Sequence, residues 1–180
     1  MSGLRTLLTA TLICLIGVPA MALMVALGTE ELTRGADVVI RGRVNQVKAQ
    51  WSEDGKRIVT RSTVGVGEYV KGSGTTTVEV EQLGGEVDGM GLRVSDTVYL
   101  KAGDEVILFL KQREDTVQGI SGRGVTAGVY TIVGAAQGLY VIDKGGKAVK
   151  GGFSLADAPQ GVDFSIEVNE LVRKVKGVSY

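Results

Sequence analysis

No histidine occurs in this chain, and its one cysteine, Cys14, lies close to the N-terminus. Proline is nearly absent at 2 residues, aromatic side chains make up only 5 %, and neither sign of charge is in excess, with 20 basic and 20 acidic residues. Each shortage excludes something. Without histidine there is no Ser-His-Asp triad, and a lone cysteine supports neither an internal disulfide nor a Cys/His zinc site. Balanced charge gives no electrostatic case for nucleic acid or for an anionic membrane surface. Few aromatics mean that the core must be built mainly from Val, Leu, Ile and Ala. At 44 % hydrophobic residues over 180 positions that is enough for one domain. Scarce proline beside 27 glycines suits twisted strands and tight turns rather than a disordered linker.

The N-terminus reads as a separate object. Arg5 is followed by an uncharged apolar run from Leu7 to Val18, then by Ala20 and Ala22 at the A-x-A spacing of a signal-peptidase site. Residues 1–22 are therefore expected to be a signal peptide cut after Ala22, with a retained anchoring helix as the other reading. Ile13 precedes Cys14 where a lipoprotein signal carries a small residue, so lipidation there is not expected. Cleavage removes Cys14 and Arg5 together. The mature chain then lacks Cys and His and has one acidic residue in excess. It is expected to be exported, periplasmic or extracellular, and without integral membrane association once the leader is gone.

Residues 23–35 form a lead-in, where Thr29 as cap, Glu30, Glu31 and Gly35 predict one short helical turn. "ADVVIRGRV" (36–44) opens the β region. Val38, Ile40 and Val44 share a face, and past Asn45-Gln46 the apolar set changes phase to Val47, Ala49 and Trp51, which predicts a bulge or sharp coil. "SEDGKR" (52–57) supplies a hairpin turn. The return strand runs from about Arg57 to Val70, with Ile58, Val64, Val66 and Val70 expected on one face. "TVEVEQL" places Val78 and Val80 inward and Glu79 and Glu81 outward. A Gly-rich loop and a short strand follow. Val106 to Leu110 is apolar throughout, as in a strand covered on both faces. "TVQGISG", "GVYTIV" and "LYVID" are weaker strand signals. Phe164, Val168, Leu171, Val172 and Val175 recur at helical spacing, with Asp163 as cap and Gly177 as stop. The pattern predicts a mainly β fold: a small Greek-key barrel of five to seven strands over residues 36–150. Residues 151–180 add a linker and a C-terminal α-helix packed on it. A two-layer sandwich is the competing architecture.

The first strand, the charged hairpin, the exit into "EYVKG" and the later "GDEVILFLK" together resemble the netrin-like OB barrel of the tissue inhibitors of metalloproteinases, over roughly Ala36 to Lys111. The chain is also similar to small exported bacterial proteins with the same "ADVV", "RG" and "GGEV" layout. The resemblance implies a barrel and a habit of binding proteins, proteases among them. Those inhibitors chelate their target's zinc through a mature N-terminal cysteine, which this mature chain lacks, so that mechanism does not carry over.

Candidate contact residues are Gly84, Gly85, Glu86, Asp88, Gly89 and Gly91, in a loop of the kind that rims the binding face of OB barrels, and Trp51, either a contact platform or a plug of the barrel. The glycines follow neither G-x-G-x-x-G nor a phosphate-loop pattern. Glu53-Asp54-Gly55 has a fragment of a calcium loop but no closing acidic residue, and reads as a solvated hairpin tip. Arg41 and Arg43 with Glu79 and Glu81 read as a solvated outer face on which the pairs can meet across strands, a binding stripe being the other reading. Ser121 in "GISGRG" lacks the second glycine of a nucleophile elbow, and no S-x-x-K occurs. No catalytic residue, metal or cofactor is expected. The expected role is a non-enzymatic binding module for a protein partner. Alternatives are a structural or assembly component of the cell envelope, its alternating strands pairing between copies, and a carboxylate-dependent glycan hydrolase. N-terminal sequencing of the exported protein is expected to begin at Leu23, with no free thiol in the product; recovery of an intact Met1 terminus would overturn the leader assignment.

Overall fold

The computed structural model describes residues 26–94, 97–113, 128–152 and 162–179. The leader with Cys14, the "TVQGISG" strand signal, Ser121 and most of the linker before the last helix lie outside the described residues.

Two 14-residue strands, β1 (Val38–Trp51) and β2 (Ile58–Lys71), form the long hairpin. With β3 (Thr77–Leu83), β6 (Glu105–Gln112) and β7 (Val129–Ile132) they close a ring in the order β1-β2-β3-β7-β6, and β6 pairs back onto β1 from Val38↔Leu110 to Arg43↔Glu105. All neighbours are antiparallel except β3 and β7. A short hairpin, β4 (Gly85–Val87) and β5 (Met90–Leu92), stands apart from the ring. Three strands, β8 (Leu139–Ile142), β9 (Lys147–Lys150) and β10 (Ser165–Glu167), extend the sheet from β6. Helices α1 (Thr29–Gly35) and α2 (Val168–Lys176) complete the fold, and no helix among the described residues is long and apolar enough to cross a membrane. The fold is thus mainly β, with a five-stranded barrel and a C-terminal helix.

The change of phase in β1 is a bulge. Val44 pairs with Val64 and Gln46 with Thr63, so Asn45 has no opposite number. Two further irregularities lie in β2, where the register passes over Gly67 and again over Val70. They correct the expected face of that strand. Val64 and Val66 point into the barrel, but Val70 leaves with Val39 for a second core, and Tyr69 packs against the first. An extra residue on one strand reverses the side on which every later residue falls.

Strand β6 stands between the two cores. Val106, Leu108 and Leu110 point into the barrel, while Ile107 and Phe109 point to the layer formed by α1, α2, Tyr140, Ala148 and Ile166. All five consecutive residues are at most 1 % exposed, so the unbroken apolar run is a strand with both faces covered.

The helices differ from expectation at their starts. Thr29 does not cap α1; Gly28 does, and the Thr29 hydroxyl donates to Asp163 Oδ2 at 3.0 Å. α2 begins at Val168 rather than after Asp163, because residues 165–167 are drawn out as β10 to pair with β9. Gly177 does stop the helix, its N–H reaching the Arg173 carbonyl at 2.9 Å. The short strand expected before Leu100 is absent over 97–100, where Gln82 Nε2 instead donates to the Val98 carbonyl at 2.9 Å.

Beneath the lead-in lies a buried cation. Lys150 is 3 % exposed, donates from Nζ to the Leu27 carbonyl at 2.8 Å, and stands 5.4 Å from the centroid of the Tyr140 ring. Burial pulls its pKa from 10.5 down to about 8, with Asp163 and Glu31 acting the other way. Burial pushes the Tyr140 phenol up to about 12. Between pH 8 and 10 the unfolded chain holds the Lys150 proton that the native state has released, so stability rises with pH. Above pH 10 the native state keeps the Tyr140 proton that the unfolded chain loses, and stability falls. Chemical denaturation is expected to show a gain on the order of 1–3 kcal/mol from pH 7 to 10. Lys150→Met should abolish it; an unchanged pH profile in that variant would refute the assignment.

Candidate functional site

The β3–β7 contact is the weak seam of the ring. The two strands pair only at Glu79↔Val129 and Val80↔Tyr130, after which β3 continues to Leu83 and β7 turns to β6. A cleft of about 430 Å³ opens there on the outer surface. Its walls are Val59 and Arg61 of β2, Glu81 and Leu83 of β3, Thr131 of β7 and Arg113 after β6, and residues of the β1–β2 turn complete it.

Charges alternate across it. Arg61 faces Glu81 in the β2–β3 register and donates from Nε to Glu81 Oε2 at 2.9 Å; Arg113 pairs with Glu81 Oε1 from across the seam; Arg61 also reaches Glu53 Oε1 at 3.2 Å. Burial acts against the Arg61 charge, but the hydrogen bonds it donates to Glu81 and Glu53 outweigh it and hold the guanidinium above its ordinary range. Glu81 is 11 % exposed and carries both arginines, whereas Glu53 is 88 % exposed. The ladder thus joins the hairpin tip, β2, β3 and the far side of the seam.

The tip itself is a turn builder. Asp54 Oδ1 accepts from Ser52 Oγ at 2.6 Å and from the Lys56 N–H at 3.2 Å, which together lower its pKa. The carboxylate that gave the loop its calcium-like flavour is engaged in the turn.

The structure corrects several expectations. Arg41 and Arg43 do not face Glu79 and Glu81, because β1 and β3 are not neighbours; Arg41 instead pairs with Glu105 of β6 at 2.6 Å. Trp51 does not plug the barrel. It is 37 % exposed at the end of β1, opposite Ile58 and beyond the ring. The Gly-rich stretch is not a loose connection but the β4–β5 hairpin, turning at Asp88 (φ 51°) and Gly89 (φ 76°). A second Asp-Gly pair in the sequence was the signal for it. Gly84 and Gly85 have structural reasons to be glycine. Both have positive φ, and added side-chain carbons would lie 2.1 Å from the Tyr99 hydroxyl and 2.6 Å from Thr60 Oγ1. Glu86, Asp88, Gly89 and Gly91 are exposed. No group of three or more His, Cys, Asp or Glu placed to hold a metal occurs among the described residues.

Sequence reasoning passed over Val59, Arg61, Leu83 and Arg113. Alternation puts Arg61 and Val59 on the outer face, but only the register brings Glu81 opposite and only ring closure brings Arg113 across.

No protein-family model matches this chain, and no curated protein matches it.

Removing the shared carboxylate should leave two arginines without their anchor. Glu81→Gln is expected to lower stability by about 1–2 kcal/mol in urea denaturation, and Glu53→Gln by less than about 0.5 kcal/mol. Equal losses from the two would refute the ladder.

Proposed function

We propose that this chain is an exported, non-enzymatic binding module on an OB/netrin-like barrel, holding a protein partner at the end of the β1–β2 hairpin. The observation that carries the reading is that exposed apolar side chains occur on both faces of the sheet at one end of the β1–β2 hairpin. Trp51, Leu83 and Met90 are 37 %, 39 % and 52 % exposed. Trp51 pairs with Ile58 and Leu83 with Val59, the next residue of β2, so the two lie on opposite faces at the same end of the hairpin. Met90 belongs to the hairpin whose Gly85 lies against Ala49 and Ile58. Aromatic and Met side chains are enriched where proteins contact one another, and a rim of paired charges is common around them.

The partner that fits is a protein surface offering apolar groups to Trp51 and Met90 and mixed charge to the Arg61–Glu81–Arg113 cleft. Inhibitor-like action on a protease belongs to this proposal through blockage by the rim, since the mature chain has no cysteine to chelate zinc. The Glu86 and Asp88 carboxylates precede Met90 in the same hairpin and add polar contacts.

Immobilised protein should capture a partner from the native secretome that the Trp51→Ser/Met90→Ser variant recovers at a level at least tenfold lower. Equal recovery by the two baits would sink the rim assignment.

A further inference from the structure

The far half of β1 has a strand neighbour on one side only. β6 runs beside β1 from Val38 to Arg43, and the last bonds on that side join Val44 to Asp104 and Gly103 at 2.9 and 2.8 Å. Beyond the bulge at Asn45, β1 continues to Trp51 in register with β2 alone. In an antiparallel ladder alternate residues direct both backbone groups to one neighbour, and the residues between direct theirs to the other side. The Ser52 N–H bonds the Arg57 carbonyl at 2.7 Å, so the register places the β2-facing groups on Gln46, Lys48 and Gln50. The N–H and C=O groups of Val47, Ala49 and Trp51 point away from β2, and no bond reaches them among the described residues. A donor and an acceptor at every second residue is the pattern that an extended chain matches.

We propose that the outer edge of β1 over residues 47–51 takes an extended segment of the protein partner as an added strand, apolar on one face and acidic on the other. The side chains along the edge set that pattern. Val47, Ala49 and Trp51 share one face, with Thr60 opposite Ala49, Ile58 opposite Trp51, and Gly85 lying against Ala49. Gln46, Lys48 and Gln50 share the other. Lys48 stands opposite Arg61 there, is exposed, and has no ion-pair partner among the described residues. Side chains directly across two strands interact, so an added strand meets Ala49 and Trp51 best with apolar groups and Lys48 best with a carboxylate. A second copy fits less well, because it brings its own Lys48 and Arg61 to the same positive face. The inference rests on the binding reading above for the kind of occupant, and adds how that occupant is held: backbone to edge, beside the exposed Trp51.

Amide hydrogen exchange followed residue by residue tests it, with a short blocked peptide alternating valine and glutamate as the probe. In the free protein the Val47, Ala49 and Trp51 amides should exchange fast and those of Lys48 and Gln50 slowly. Excess peptide should slow the first three by about tenfold or more and leave the other two unchanged. The same peptide methylated at its amide nitrogens should have no effect. Ala49→Pro removes one outward N–H and spares the β2 ladder, so it should abolish the protection. Where Ala49→Pro does not fold, Val47→Pro takes its place and is read in the same way. Peptide that leaves the three amides fast, or slows them no more than Lys48 and Gln50, would overturn strand addition. Protection that needs no peptide and rises with protein concentration would give the edge to a second copy and overturn the acidic partner. Neither result bears on the rim reading, which is decided by recovery on the Trp51→Ser/Met90→Ser bait.

Discussion

The burial of β6 on both faces is the constraint on which the rest of the molecule depends. A strand whose consecutive residues are all apolar must have a covered surface on each side. The barrel provides one cover by curling β1, β2, β3 and β7 around Val106, Leu108 and Leu110. The helices and the β8–β10 extension provide the other over Ile107 and Phe109. The lead-in and the C-terminal helix are therefore parts of the hydrophobic structure, and α1 and α2 meet because both serve the same face.

Closing a ring on so few strands requires strong coiling, and the long hairpin supplies it at three irregular points. One lies at Asn45 and two at Gly67 and Val70. These bends carry the hairpin out beyond the ring, so its far end does not share the fate of its near end. Near the ring its inward side chains are buried; at the tip Trp51 is left in solvent. The exposed rim is a consequence of strands longer than the barrel needs.

The seam has a similar origin. Among the described residues the ring closes through one short parallel contact, and past it β3 and β7 part. Glu81, held by two arginines, spans the outer opening, and Gln82 binds the 97–100 segment beside it. A place where backbone pairing runs out is a place where side chains can enter, which is why the cleft opens there.

Local sequence determined much of the fold. The alternation of β1 and β3, the change of phase at Asn45-Gln46, the doubly covered run at 106–110 and the stop at Gly177 all follow from the period of side chains along a strand or helix. Composition, with no histidine, excluded a Ser-His-Asp triad. Neither determined which strands become neighbours. Arg41 met Glu105 rather than Glu79, Arg61 met Glu81, and Arg113 crossed the seam, because partner choice depends on ring closure between residues far apart in the chain. The face of Val70 and the exposure of Trp51 were likewise decided by tertiary structure. Bulges on β2 leave no mark in composition, and a strand's pattern does not record where the barrel beneath it ends.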